Sequence, residues 1–177
     1  APGADSKIEL SIEDSQFDPK KAISAYRKLT GAERIRIIVG ITGSKNAIPV
    51  CQAAKEEDVV IVDALSSAPK ITTACGPNYF RIMASDALAG KYNVSWAMES
   101  GMKSPAIVYM EDDWGASYRD SVLEELGRKG LRNVPVYGVG AGTRDFRAEV
   151  EKIKDRSPDT IFLLLYAREG SVFMQQL

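Results

Sequence analysis

The feature that most restricts this 177-residue chain is a regular alternation of short β-branched or aromatic runs with single helical stretches. The runs at 37–39, 59–62, 79–83, 106–110, 134–139 and 161–166 have strand length and carry few charges. Strands buried on both faces read this way, and strands separated by one helix each pair in parallel through right-handed crossovers. The expected fold class is therefore α/β, built from parallel βαβ units.

The helical stretches carry their own punctuation. Asp18-Pro19 marks a helix start with Pro at the first position, and Ala22, Ile23, Tyr26 and Leu29 give an apolar stripe that runs to Gly31. Ser44 is expected to cap a second helix, and Asp86 to open a third with Leu88, Tyr92, Trp96 and Met102 facing inward. Further helices are expected over 115–130 (Tyr118, Val122, Leu123, Leu126 inward), over 145–156 (Phe146, Val150, Ile153 inward) and from Gly170 onward. Residues 7–12 alternate polar and apolar, which predicts a strand with one covered face, and 69–78 reads as irregular. Pro105 is the expected crossing between two lobes, dividing 1–103 from 104–177. The chain opens on a run with no partner before it and closes inside a helix, so a fragment of something larger is expected.

The stretch 37–69 organises the functional reading. Its first run opens into Gly40–Gly43 and then Ser44, and its second ends at Leu65, Ser66 and Ser67. Loops that leave the carboxyl ends of neighbouring parallel strands open onto one crevice, where open α/β sheets bind ligands. Ser44 and Ser66/Ser67 would face that space together. A helix start there offers free N–H groups and a partial positive charge, which suit a carboxylate or another anion. Serine also caps helices that bind nothing, and that plainer role stands beside the functional one.

Composition removes several function classes. His is absent, which excludes Ser-His-Asp and Cys-His catalysis and withdraws the commonest zinc ligand. The 23 basic and 24 acidic residues are spread along the chain, so there is no electrostatic footprint for nucleic acid. No apolar run approaches the roughly 20 residues of a membrane helix. Cys51 and Cys75 fit no metal motif, and the sequence leaves open whether they form a disulfide or two buried thiols. No signal peptide opens the chain, which reads as a mature or trimmed form or a cytoplasmic protein. No cofactor is expected. Gly138–Gly142 lacks the third glycine of a dinucleotide loop, and Glu111, Asp112 and Asp113 read as a solvated loop. Glu13 and Asp14 after one run and Asp63 at the end of another allow a receiver-like, Mg²⁺-dependent phosphotransfer site at Asp63 as an alternative.

By Ser67 the residues become specific. The segments IELSIEDSQFDPKKAISAYRKL, IIVGITGS, VIVDALSSAPKIT, NYFRIMASD, AIVYMEDDWGAS and GTRDFRAEVEKIKDRSPDTIFLLLY occur in this order over nearly all of the chain. In order and spacing the chain resembles the type I periplasmic binding proteins, in particular the leucine/isoleucine/valine-binding branch that serves ATP-driven (ABC) importers. The resemblance implies two doubly wound parallel-sheet lobes, each incomplete here, that close over a small ligand without chemistry about a hinge near 101–105. It implies an extracytoplasmic, periplasmic location and a membrane permease as partner.

Carried over residue by residue, the resemblance implies that Ser44 holds a ligand carboxylate and that Leu65, Ser66 and Ser67 hold the ammonium and carboxylate of an amino acid. Trp114 and Tyr166 would close on the ligand from the second lobe. Leu65 stands where the family usually has something smaller, which implies a pocket that is narrower or of a different shape. In an oxidising compartment a Cys51–Cys75 bond is expected. The family's first strand and helix would precede Ala1, between the run at 7–12 and the run at 35–39, so these edges are expected either to recruit another chain in self-association or to leave ligand binding weak. The same module serving as the ligand-sensing input of a receptor is the second reading, and the receiver-like domain the third.

Overall fold

The computed structural model describes residues 7–177. The chain runs α1 (Pro19–Arg27), β1 (Ile37–Gly40), α2 (Ser44–Ala54), β2 (Val60–Asp63), α3 (Ile71–Ala74), β3 (Tyr79–Arg81), α4 (Asp86–Glu99), β4 (Pro105–Met110), α5 (Asp113–Arg128), β5 (Val136–Val139), α6 (Arg147–Arg156), β6 (Thr160–Leu164) and α7 (Ala167–Gln176). Two three-stranded sheets result, in the orders β1-β2-β3 and β5-β4-β6. Every pairing is parallel, with Val39 opposite Val62 in the first sheet and Ile107 between Val136 and Phe162 in the second. The parallel α/β reading of the sequence is thus met.

Local chemistry accounts for the elements. Asp18 caps α1 by accepting from the Lys21 N–H at 2.9 Å, with Pro19 behind it, and Ala22 and Tyr26 turn inward. The helix then widens into a π-helical stretch at Lys28–Ala32. In α6 the expected stripe packs as read: Phe146, Val150 and Ile153 join Val108, Met110, Val139 and Phe173 in one apolar cluster. Gly115 lets α5 start directly against β4, since a Cβ there would collide with the Met110 carbonyl.

The stretch expected to be irregular, 69–78, holds the short α3, and two further expectations fail for a packing reason. Residues 7–12 form no strand, and Ile8, Leu10 and Ile12 are exposed. An alternating pattern needs a neighbour to donate to, and among the described residues β1 pairs with β2 alone. A cleft of about 570 Å³ opens between the 9–15 segment and β1, lined by Leu10, Ile12, Ile37 and Val39 with Tyr26 and Leu29 of the α1 side. The orientation of α4 is also reversed from the sequence reading. Leu88, Tyr92 and Trp96 face outward, Trp96 at 71% exposure, and the buried side is Gly90, Val94 and Ala97. Small residues win because α4 lies tight on α5, where a Cβ on Gly90 would be 3.1 Å from Ser121.

The same packing bears on where the chain divides. Val94, Ala97 and Met102 belong to one cluster with Ile107, Val122, Leu126, Phe162 and Leu164, all of the second sheet and its helices. Pro105, the expected crossing, is a buried first residue of β4, paired with Thr160. The clusters around β2 instead draw on α1, α2 and α3.

Candidate functional site

The carboxyl ends of β1, β2, β4 and β6 lead to Ser44, to the loop 64–68, to Trp114 and to Tyr166 respectively. Ser44 is not a cap. Gly43 takes the N-cap position with a φ of 87° and α2 begins at Ser44, so the hydroxyl is free to leave its own helix. Ser44 Oγ accepts the Ala68 N–H at 3.1 Å, which joins the two turns directly. Asn46 and Ala47 donate back to the Gly43 carbonyl, leaving the Ser44 and Lys45 N–H groups as the donors of this helix start. Ser44 is 1% exposed.

The second turn is braced from beneath. Asp63 is 0% exposed and accepts from the Leu65 N–H at 2.9 Å, the Ser66 N–H at 3.0 Å and the Tyr79 hydroxyl. Burial and that carboxylate push the Tyr79 hydroxyl far up from the ordinary phenol range. Leu65 points outward at 53% exposure, whereas Ser66 is fully enclosed and its Oγ has no hydrogen-bond partner. Ser67 is half-buried, and its hydroxyl donates to Asp86 Oδ2 at 3.0 Å while its carbonyl accepts the Asp86 N–H at 2.9 Å. Arg81 completes the frame, Nη1 donating to the Ala68 carbonyl at 2.9 Å and Nη2 to Thr72 Oγ1 at 3.0 Å. Burial raises the Asp86 carboxyl to about 6, with the Ser67 hydroxyl and the Arg81 charge acting in the opposite direction.

From the second sheet come the aromatics. Trp114 and Tyr166 stack with centroids 4.8 Å apart and planes 19° from parallel, and Tyr118 meets Trp114 at 6.1 Å. Tyr166 donates to Asp112 Oδ2 at 2.7 Å, and Asp112 also caps α5 through the Gly115 N–H at 2.9 Å. Desolvation and Asp112 push the Tyr166 hydroxyl well above its usual range. Phe17 approaches from the loop before α1, edge-on to Tyr166 at 5.5 Å, with the Lys45 ammonium 4.0 Å from its ring centroid. Lys70 and Asp113 form another contact between the two sheets' loops, at 3.6 Å.

The structure therefore joins Ser44 to the 65–68 loop and Trp114 to Tyr166, with Phe17 between the two groups. The sequence reading gave Asp63 a different role, as a phosphotransfer site, and missed Asp86 and Phe17, which were visible only as an acid opening a helix and a lone aromatic in a polar loop. The receiver-like alternative is overturned: Asp63 is enclosed and occupied, Glu13 pairs with Lys28, and Asp14 Oδ1 accepts the Gln16 N–H at 2.8 Å. Among the described residues no group of three or more His, Cys, Asp or Glu could hold a metal ion, and no helix is long and apolar enough to cross a membrane. Cys51 and Cys75 are joined in a disulfide with Cα atoms 5.2 Å apart, tying α2 to the end of α3.

Comparison with known proteins bears on what this arrangement serves. Residues 3–177 match the family described as Periplasmic binding protein. The chain is 28% identical over 172 residues to the Leu/Ile/Val-binding protein BraC3 of Rhizobium johnstonii, covering 97% of this chain and 47% of that protein. It is 24% identical to the Leu/Ile/Val-binding protein homolog 3 of Brucella melitensis, over 97% of this chain and 46% of the other. Among solved structures, a solute binding protein of an ABC transporter from Rhodopseudomonas palustris BisB5, in complex with 3,4-dihydroxy benzoic acid, superposes with a TM-score of 0.86 at 22% identity, over 96% of this chain and 47% of that one. The leucine binding protein LivK from Thermotoga maritima gives a TM-score of 0.83 at 20% identity, over 92% and 47%. These structural likenesses carry the fold. The chain spans about half the length of the curated relatives it matches.

Proposed function

The chain belongs to the periplasmic binding protein family, and from that premise we propose that the protein captures a small carboxylate-bearing solute outside the cytoplasm and delivers it to the permease of an ABC importer. The observation that carries this reading is the bond from the Ala68 N–H to Ser44 Oγ, which gathers two turns at the carboxyl ends of β1 and β2 into one polar wall. Ser44 has its lone pair engaged by Ala68, so its O–H remains to donate, together with the N–H groups of Ser44 and Lys45; that is a carboxylate site. Ser67 has the opposite polarity. Its proton goes to Asp86, so its oxygen offers lone pairs toward an N–H or an ammonium.

A donor wall beside an acceptor wall backed by a buried acid fits an α-amino acid. The named relatives are Leu/Ile/Val-binding proteins, and an aliphatic side chain suits the stacked faces of Trp114 and Tyr166. The R. palustris protein's dihydroxybenzoate complex makes an aromatic acid the competing ligand class. Leu65, Ser66 and Ser67 line the ammonium side in this reading, Leu65 through its exposed side chain at the rim. No chemistry is performed. In this reading the two lobes are 7–81 and 86–177 and the hinge is the segment 82–85, because Val94 and Ala97 of α4 cluster with the second sheet and its helices. Ligand favours the closed arrangement through contacts to both lobes. The Cys51–Cys75 disulfide supports an oxidising, extracytoplasmic setting.

A thermal-shift screen of the full-length protein against amino acids and aromatic acids tests the reading. A true ligand at about 100 times its dissociation constant stabilises by roughly 2.7 kcal/mol, a shift of about 5–10 °C for a chain of this size. The absence of a shift with every acid in the screen would remove the solute-capture reading.

A further inference from the structure

The loop before α1 is strained at two consecutive side-chain-bearing residues: Gln16 has a φ of 51° and Phe17 a φ of 57°, a region that residues with a Cβ rarely adopt. The strain aims one ring. Phe17 lies against Gly43, where a Cβ would run into its ring atoms, and beneath the Lys45 ammonium at 4.0 Å. Gly43 and Lys45 are the residues on either side of Ser44, so the ring lies over the start of α2. Its other edge meets Tyr166, from the second sheet, at 5.5 Å and an 87° angle between planes.

We propose that Phe17 is a latch: a first-lobe aromatic that covers the Ser44 turn and docks edge-on to Tyr166 only when the two lobes are closed, so that it sets how long a bound solute is retained. This rests on the solute-capture reading for its ligand, but not for its effect on closure. The Phe17–Tyr166 contact joins residues 149 positions apart in sequence (166 − 17), one in the loop before α1 and the other between β6 and α7. Opening the lobes must break it, and closing must form it. The two rings meet in a T-shaped arrangement that suits their quadrupoles, while the Lys45 cation lies over the Phe17 ring. Both interactions are made by the ring in this position.

The test compares the wild-type protein with Phe17→Ala and Phe17→Leu in two measurements. In ligand-free protein, small-angle scattering reads the closed fraction; Phe17→Ala is expected to raise the radius of gyration and Phe17→Leu to give an intermediate value. In the presence of whichever acid shifts the wild-type melting temperature, stopped-flow fluorescence of Trp114, in a background where exposed Trp96 is replaced by Phe, is expected to show a dissociation rate roughly tenfold faster for Phe17→Ala and about threefold faster for Phe17→Leu, with association rates within about twofold. Circular dichroism identifies a variant that has lost its fold, and the Leu variant then decides. Equal radii and equal dissociation rates across the three proteins would overturn the latch while leaving solute capture standing. A changed radius with no acid bound by any of them would overturn solute capture and leave the latch.

Discussion

Ser67 and Asp86 hold each other by two hydrogen bonds: the Ser67 hydroxyl donates to Asp86 Oδ2 at 3.0 Å, and the Asp86 N–H donates to the Ser67 carbonyl at 2.9 Å. The pair links a turn of the first sheet to the first residue of α4, which packs with the second. A buried acid therefore lies between the proposed ammonium wall and the proposed hinge.

Asp86 makes stability depend on pH in a definite direction. Its folded carboxyl titrates at about 6, above the ordinary value of 3.8, so the native state holds the proton more tightly than the unfolded one. The associated stability is present below pH 4 and is lost as pH rises through 6, on the order of 2 kcal/mol. Asp86→Asn keeps an acceptor for Ser67 and removes the titration. Urea unfolding between pH 4 and 7 is expected to show a fall of this size for wild type relative to the variant, and parallel profiles for the two would refute the assignment.

Ser44→Ala leaves the buried Ala68 N–H without its acceptor. The expected loss is about 1–3 kcal/mol of stability, together with at least a tenfold loss of affinity for any carboxylate ligand. Ser44→Cys or Ser44→Thr is expected to recover part of the stability. Chemical unfolding and calorimetry on the same variant separate the two effects, and unchanged affinity would place the carboxylate elsewhere.

The Cys51–Cys75 bond closes a loop that contains β2 and the whole 64–68 turn. Replacing both residues with Ser is expected to cost about 3 kcal/mol, most of it by loosening the unfolded-state constraint. Because the bond joins α2 to the end of α3, ligand affinity is expected to fall as well. Differential scanning calorimetry with and without reductant reads the first effect; a melting temperature insensitive to reduction would contradict it.

β1 carries exposed Ile37 and Val39 and pairs through one edge with β2, while its other edge, facing the 570 Å³ cleft, has no strand partner among the described residues. Unpaired apolar edges recruit other chains. Residues 1–177 expressed alone are expected to self-associate, and Val39→Lys to shift them toward monomer in size-exclusion chromatography with light scattering. A monomer at about 100 μM would show the edge to be protected.

Much of this was legible in the sequence because it depends on local rules. The β-branched runs became parallel strands, Asp18-Pro19 became a cap with Pro behind it, and Phe146, Val150 and Ile153 became core. What was not legible depends on a neighbour. The alternating residues 7–12 needed a strand beside them, and Leu88, Tyr92 and Trp96 were turned outward because α4 approaches α5 through Gly90, Val94 and Ala97. A serine at a helix start looks like a cap until the position of Ala68, 24 residues on, shows where its lone pair goes. Phe17 gave no signal at all, since its place depends on two left-handed backbone angles that no composition rule supplies.

The most direct test of the central claim is a calorimetric titration of the protein with L-leucine and with 4-methylpentanoate, which keeps the carboxylate and the aliphatic body but lacks the ammonium. A donor wall at Ser44 beside an acceptor wall at Ser67 and Asp86 predicts that leucine binds and that the deaminated acid binds at least tenfold more weakly, about 1.4 kcal/mol or more. Equal affinity for the two acids, or tighter binding of the deaminated one, would contradict the account.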